Sequence, residues 1–181
     1  LSCALTTPML ADGAVDLARL VRHARFVLEG GCDSVTLFGT TGEGAALGLP
    51  ARETMLGALV GAGIEPARQL YAGVAAAALH DALDQAKIAL DIGASGLLLA
   101  PPFYFKGVSE DGLYAWFAQF IEKLKGQARG IILYHIPSMT AVEITPALVE
   151  RLKRAFPGVI AGVKDSSCNW PTTEAFLKAH G

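Results

Sequence analysis

Six short apolar segments recur along this chain, and each is followed by a turn rich in glycine, proline or threonine and then by a stretch with helical spacing. The apolar segments are Ser2–Leu5, Ser34–Phe38, Leu70–Val74, Gly96–Ala100, Ile131–Tyr134 and Val159–Val163. The helical stretches are Val15–Leu28, Ala51–Val60, Leu79–Leu90, Gly112–Lys125, Pro146–Arg154 and a last one from about Pro171. The repeat of about 25 to 35 residues is the size of a β-α-β unit. Strands that alternate with helices predict a parallel sheet covered by helices.

Two α/β architectures share this alternation, an open doubly wound sheet and a closed (β/α)₈ TIM barrel. Six units in 181 residues scale to eight units in about 250 residues, which is the usual size of the barrel. The length therefore favours a TIM barrel truncated after about six βα units, with residues 1–181 as one partial domain. We expect such a fragment to fold poorly alone, because two parallel strand edges would lack partners.

Composition excludes several classes of protein. The chain is 52% hydrophobic and 18% charged, which allows a large core and is unlike a disordered protein. The net charge of −2, with no block of like charge, gives no indication of a nucleic-acid or membrane partner. No apolar run is long enough for a membrane span, and we expect no charged-then-apolar leader. Three widely separated cysteines (Cys3, Cys32 and Cys168) are typical of reduced thiols in a cytoplasmic protein.

A lysine and a tyrosine stand at the ends of the last two predicted strands. Lys164 follows the segment Val159–Val163, and Tyr134 ends the segment before it. A desolvated lysine is a nucleophile because burial disfavours its ammonium form, and a nearby phenol can move protons to or from a carbonyl oxygen. The same positions also suit an ordinary ion pair between Lys164 and Asp165 and a packed tyrosine.

The turn after the second strand has the sequence GTTGEG, from Gly39 to Gly44. Its glycines would expose backbone N–H groups beside the hydroxyls of Thr40 and Thr41, an arrangement that suits a carboxylate or a phosphate. It matches neither the phosphate-binding P-loop nor the dinucleotide-binding motif. We expect Glu43 to brace the N–H groups of this loop rather than to act as an acid.

Other polar residues are less informative. Tyr104, in the segment PPFYFK, suits hydrophobic cover or a subunit contact. The four histidines form no metal-binding motif, so the sequence provides no metal site that would activate a carbonyl. Chemistry of the aldol type would then depend on the lysine.

Five short motifs occur in chain order at the ends of predicted strands: a threonine-proline pair, then GTTGE, PFY, YHIP and GVKDS. Together they resemble the dihydrodipicolinate synthase / N-acetylneuraminate lyase family of pyruvate-dependent class I aldolases. The resemblance covers essentially all 181 residues. It implies a (β/α)₈ barrel with a C-terminal helical extension, of which this chain would lack strands seven and eight and the extension.

The resemblance also implies roles for individual residues. Lys164 matches the lysine that forms a Schiff base, and Tyr134 matches the tyrosine that acts as acid and base. Thr40 and Thr41 match the pair that holds the pyruvate carboxylate, and Thr40 also corresponds to a proton-relay member. The Gly39–Gly44 turn would hold that carboxylate, and we expect its Gly39 and Gly42 to bind substrate with Thr41. Tyr104 matches a tyrosine that reaches into the neighbouring subunit, which implies a homodimer or homotetramer. No separate cofactor is implied.

Two motifs depart from the pattern of dihydrodipicolinate synthases, the first of which is their Y-N-x-P-x-R after strand five. His135 and Met139 occupy the asparagine and arginine positions, at which we expect substrate contacts. Met139 cannot form a bidentate pair with a carboxylate. Phe103 also replaces the first tyrosine of a P-Y-Y motif.

The resemblance therefore implies a lyase that joins a 2-keto acid such as pyruvate to an aldehyde, or cleaves the product, with a second substrate other than the usual one. A 2-keto-3-deoxy sugar acid dehydratase, a true dihydrodipicolinate synthase and a non-catalytic keto-acid-binding protein stay open as alternatives.

Overall fold

A computed structural model describes the whole chain, from Leu1 to Gly181. The six strands are β1 (Ser2–Ala4), β2 (Ser34–Leu37), β3 (Leu70–Val74), β4 (Gly96–Leu99), β5 (Ile131–His135) and β6 (Ile160–Asp165). The helices are α1 (Leu17–Glu29), α2 (Leu49–Gly61), α3 (Pro66–Gln69), α4 (Leu79–Asp91), α5 (Glu110–Lys123), α6 (Pro137–Thr140), α7 (Pro146–Ala155) and α8 (Trp170–His180). None of these helices combines the length and the apolar composition needed to cross a bilayer.

The strands are hydrogen-bonded in chain order, from β1 to β6, in one sheet. β1 is parallel to β2, β2 to β3, and β5 to β6. A doubly wound sheet reverses its strand order near the middle, so this order excludes that alternative. All six predicted strands are confirmed, whereas the short helices α3 and α6 were not predicted.

By its internal contacts the chain divides into two compact units, of which the first comprises Leu1–Val74 and Asp84–Leu97. All four residues of β2 are buried, as expected for a strand covered on both faces. Helix α1 contacts β2 and α2. Asp16 caps the start of α1, because its carboxylate accepts the Arg19 N–H at 2.8 Å and so satisfies a free donor of the first turn.

The second unit comprises Ala75–Leu83 and Leu98–Gly181. Thr145 caps the start of α7, because its hydroxyl accepts the Leu148 N–H at 3.0 Å. Arg151 on α7 pairs with Asp111 of α5 at 2.6 Å and stacks 4.0 Å from the Tyr114 ring centre. These contacts join α5 to α7.

One strand of the second unit differs from its prediction. The apolar pattern Val159–Val163 predicts a buried strand, yet only Ile160 of β6 is buried, and the other residues are exposed or half-buried. β6 ends the strand order, so one of its edges has no neighbouring strand in this chain. The strand also extends through Lys164 to Asp165, so the lysine lies within it.

Candidate active site

The turn after β2 uses three of its six backbone N–H groups in hydrogen bonds within the turn. The N–H groups of Gly42 and Gly44 both donate to the Gly39 carbonyl, at 3.2 and 3.1 Å, and the Glu43 N–H donates to the Thr40 carbonyl at 3.1 Å. The expectation that these glycines present their N–H groups to a ligand is therefore wrong for Gly42 and Gly44. Thr40 and Thr41 are exposed, and the Thr41 N–H has no hydrogen-bond partner. What the turn can offer to an anion is thus concentrated at its two threonines.

Glycine is required in this turn because of close backbone contacts. A Cβ at Gly44 would lie 2.0 Å from the carbonyl oxygen of Phe38, and a Cβ at Gly42 would lie 2.6 Å from that of Leu5. Real Cβ atoms do not approach this closely. The Thr7 hydroxyl adds a hydrogen bond of 2.6 Å to the Gly42 carbonyl. The segment after β1 therefore helps to hold the turn in place.

Glu43 does not brace the turn. It is exposed, its backbone is left-handed with φ of 53°, and its side chain caps no N–H group. The bracing side chain is instead Arg52 of α2, which donates to the carbonyls of Gly44 and Leu47. Arg52 was not predicted from the sequence, because a lone arginine in a helical segment resembles a surface residue. The available signal was that it lies among apolar residues with helical spacing, including Met55, Leu56 and Leu59.

In the second unit, Tyr134 and Lys164 are direct partners in the register of β5 and β6. The Lys164 Nζ lies 4.3 Å from the centre of the Tyr134 ring. Partners in adjacent strands place their side chains on the same face of a sheet. The amine and the phenol ring are therefore neighbours, as the sequence predicted.

This register depends on an irregularity at the start of the two strands. Ile131 pairs with Ile160, but Ile132 pairs with Gly162, so that β6 contains one extra residue. Continued without this shift, the pairing would place Val163 opposite Tyr134. A shift of one residue sends every following side chain to the other face of a strand. The irregularity therefore determines that a lysine lies beside the tyrosine.

Tyr134 and Lys164 differ in their surroundings. Tyr134 is 6% exposed and lies in an apolar cluster with Leu98, Ala100 and Ile136. Lys164 is half-buried. The phenol ring is thus fixed by packing, and the amine beside it is less deeply buried.

His135 lies on the opposite side of β5 from Tyr134, as alternation along a strand requires. The ring is 3% exposed, and its Nδ1 accepts the Ile144 N–H at 3.0 Å. Burial lowers the pKa of His135 below 6.5, although the charges of Asp165 and Glu143 oppose this. The structure thus separates His135 from the tyrosine and lysine with which the sequence grouped it.

Asp165 does not form the ion pair with Lys164 that the sequence left open. Its carboxylate accepts a short hydrogen bond from the Thr173 hydroxyl and a 3.0 Å bond from the Ser167 N–H. One oxygen also lies 3.9 Å from the His135 Nε2. Burial raises the pKa of Asp165, but the hydrogen bonds outweigh it, so the pKa lies below its usual value. The Lys164 amine is therefore not held by its neighbouring carboxylate.

Tyr104 and Met139 both lie at the surface. Tyr104 is 71% exposed and makes an edge-to-face contact with Phe105, with ring centres 5.1 Å apart. Met139, on α6, is 64% exposed. Between these segments, the Lys106 ammonium donates to the carbonyls of Phe103 and Thr140. The exposed aromatic pair Tyr104 and Phe105 therefore directly precedes Lys106, which hydrogen-bonds to the last residue of α6.

The loop after β6 joins the lysine-bearing strand to α8. Cys168 in this loop is exposed and has a left-handed backbone, with φ of 57°. The next residue, Asn169, donates its N–H to the Ser167 hydroxyl at 3.2 Å. This loop is therefore ordered by local hydrogen bonds that leave the thiol at the surface.

Comparison with known proteins gives the family. The model of the dihydrodipicolinate synthetase family matches residues 1–180 of the chain. The chain belongs to the dihydrodipicolinate synthetase family.

Three relatives show the range of this family. A DapA-like lyase of Chloroflexus aurantiacus is 34% identical over 98% of this chain and 58% of its own. A dihydrodipicolinate synthase from Agrobacterium tumefaciens has a crystal structure that superposes with a TM-score of 0.96 and is 52% identical, over 99% of this chain and 62% of its own. A 2-keto-3-deoxygluconate aldolase from Picrophilus torridus superposes with a TM-score of 0.87 at 26% identity, over 99% of this chain and 62% of its own.

The family assignment also gives the fold class. The six βα units in consecutive strand order are those of the dihydrodipicolinate synthetase family's (β/α)₈ barrel, as the sequence predicted. The chain spans about 60% of the length of these three relatives.

Proposed function

We propose that the full-length protein is a lyase that forms a Schiff base between Lys164 and a 2-keto acid such as pyruvate. The observation that carries the proposal is the register pairing of Tyr134 with Lys164, which places the amine 4.3 Å from the ring centre. Membership of the dihydrodipicolinate synthetase family supports it.

In the proposed reaction, the neutral Lys164 amine attacks the C2 carbonyl of the keto acid. The carbinolamine then loses its C2 oxygen as water, with protons moved by Tyr134, and an iminium ion remains. In the cleavage direction the bound substrate is a 4-hydroxy-2-keto acid, whose C4 hydroxyl passes its proton to Tyr134 as the C3–C4 bond breaks. The electron pair of that bond moves to the iminium ion, which gives an aldehyde and a pyruvate enamine. Condensation is the reverse of this step. Protonation of the enamine and addition of water return pyruvate and the free lysine.

The two threonines would hold the carboxylate of the keto acid. Thr40 and Thr41 are exposed at the turn, and Thr41 has an uncommitted N–H. Holding the substrate at one end turns a bimolecular encounter into an oriented one. In this proposal Thr40 and Tyr104 also relay protons with Tyr134, and Gly39 and Gly42 give the turn its shape.

We propose that the second substrate is not the one used by dihydrodipicolinate synthases. Met139 occupies the position of their arginine and is exposed, so it provides no donor to a substrate carboxylate. One relative is nevertheless a dihydrodipicolinate synthase at 52% identity, and another is a 2-keto-3-deoxygluconate aldolase. Analysis of the products decides which of these two activities the protein has. It also separates an aldolase from a dehydratase, because only cleavage releases pyruvate.

The proposal extends to assembly and compartment. Tyr104 and Phe105 form an exposed aromatic pair, which suits a contact with a second copy in a homodimer or homotetramer. The three unpaired cysteines suit the reducing cytoplasm.

The test is chemical trapping in the full-length protein. Treatment with pyruvate and borohydride should reduce the imine to a stable adduct on Lys164, which peptide mass spectrometry locates. Lys164→Ala should abolish the adduct, whereas Lys178→Ala should retain it, because Lys178 is exposed on α8 and paired with Glu174. Absence of an adduct in the unmodified protein, or its persistence in Lys164→Ala, would contradict the mechanism. Saturable pyruvate binding without turnover of any substrate would support a binding protein instead.

A further inference from the structure

Arg52 is the most deeply buried charged side chain of the first unit, with 1% of its surface exposed. Its guanidinium donates to three backbone carbonyls, those of Gly44 at 2.6 Å, Leu47 at 3.0 Å and Gly73 at 2.9 Å. Gly44 ends the turn that carries the two threonines, and Gly73 lies in β3. One side chain therefore ties the turn to the neighbouring strand.

The guanidinium also reaches the residue that precedes the turn. Its central carbon lies 4.6 Å from the ring centre of Phe38, a cation–π contact. Phe38 is buried and has a left-handed backbone with φ of 59°, and its carbonyl is the atom against which Gly44 packs. Arg52 thus contacts residues on both sides of the two threonines.

This cation has no counter-ion in the chain. No carboxylate lies within ion-pair distance of Arg52. Burial lowers its pKa to about 10, so the group stays protonated at neutral pH. A buried charge without a counter-ion is unfavourable even when it is hydrogen-bonded, and its field is weakly screened inside a protein. The turn therefore lies against an uncompensated positive charge.

We propose that Arg52 is a positioning residue for carboxylate binding, which fixes the turn through three carbonyls and supplies the positive charge that an anion at Thr40 and Thr41 would balance. This inference rests on the proposed function, because it assumes that the turn holds the substrate carboxylate. A planar guanidinium is suited to both tasks, since its fork of donors reaches several carbonyls at once.

The test compares an anionic ligand with an uncharged one of the same shape. In the full-length protein, half-saturating concentrations of pyruvate and of pyruvamide would be measured by calorimetry, which detects binding whether or not an imine forms. Arg52→Gln should raise the half-saturating concentration of pyruvate about tenfold or more, because a positive charge is lost. The half-saturating concentration of pyruvamide should change much less. Arg68→Gln is the control, since Arg68 is exposed and pairs only with Glu65. Equal weakening of both ligands, or of neither, would overturn the inference.

A second variant covers the case in which Arg52→Gln fails to fold. Arg52→Lys keeps the charge, but a buried lysine has a lowered pKa and loses its proton as pH rises. Its preference for pyruvate over pyruvamide should therefore fall between pH 6 and 9, while that of the unmodified protein stays constant. Effects of Lys164 cancel in this ratio, because Lys164 acts on both ligands. A constant ratio in Arg52→Lys would contradict the charge role.

The outcomes also separate the two proposals. Pyruvate that binds through Arg52 but gives no borohydride adduct would refute the Schiff-base function and retain the carboxylate site. A borohydride adduct together with unchanged pyruvate binding in the Arg52 variants would support the Schiff-base function and refute the role of Arg52. Absence of pyruvate binding would refute both proposals.

Discussion

The amine of Lys164 lies 4.3 Å from the centre of the Tyr134 ring, and the two residues are direct partners in the parallel register of β5 and β6. The ring is packed in an apolar cluster, whereas the lysine is half-buried. A phenol and an amine thus lie side by side, and these groups can serve as a proton donor and a nucleophile in the proposed imine chemistry.

Removal of the Tyr134 hydroxyl tests this pairing. Tyr134→Phe should keep the ring packing and the contact with Lys164, so thermal stability should change little. Turnover should fall by about 10²–10⁴-fold, the usual contribution of a positioned acid or base. The measurement is kcat with the best substrate of a keto-acid panel. Tyr114→Phe is the matched control, since Tyr114 stacks on Arg151 at the surface of α5 and should leave kcat unchanged.

The buried imidazole of His135 predicts a loss of stability in mild acid. Its Nδ1 accepts the Ile144 N–H, so protonation would break that hydrogen bond, and burial lowers the pKa. The unfolded chain therefore takes up this proton more readily than the folded one. The free energy of unfolding should fall as the pH drops below about 6.5, and the loss should be complete below the lowered folded pKa.

Urea midpoints between pH 7.5 and 5 measure this effect. In His135→Gln the urea midpoint should depend less on pH, because the imidazole that takes up the proton is gone. The substitution should also lower the stability at pH 7.5. His80→Gln, at an exposed position of α4, should keep the slope of the unmodified protein. An unchanged slope in His135→Gln would assign the acid sensitivity to other groups.

The two glycines Gly44 and Gly57 should respond in opposite ways to alanine. A Cβ at Gly44 would lie 2.0 Å from the Phe38 carbonyl oxygen, so Gly44→Ala should lower the free energy of unfolding by about 2 kcal/mol or more. A Cβ at Gly57, within α2, would meet no atom within 4 Å, so Gly57→Ala should raise it by about 0.5–1 kcal/mol. Urea unfolding of both variants gives the comparison, and equal signs would contradict it.

The exposed residue Met139 predicts a change of substrate preference. Met139→Arg should improve kcat/KM about tenfold for an aldehyde that carries a carboxylate, relative to one that does not, because a guanidinium binds a carboxylate with two hydrogen bonds. Met139→Leu should leave the ratio unchanged. If the ratio of kcat/KM values is unchanged in Met139→Arg, the aldehyde does not bind beside residue 139.

Much of the fold followed from the sequence because each βα unit repeats the same local pattern. The apolar segments and the helical spacing located six strands and their helices, and the spacing placed Tyr134 and Lys164 on neighbouring strands. The extra residue in β6 could not be foreseen, since apolar residues on both sides of it give no alternation to follow. The role of Arg52 was equally hidden, because its partners are backbone carbonyls, which have no sequence signature.

The exposed thiol of Cys168 gives the chain a built-in reporter position. It lies four residues beyond Lys164, and its side chain takes no part in the hydrogen bonds that hold the Asp165 carboxylate. Cys3 and Cys32 are less accessible, so a maleimide dye should label Cys168 first. Fluorescence from that dye would follow the capture of a keto acid in real time, without borohydride and without a change to any residue proposed to take part in the reaction.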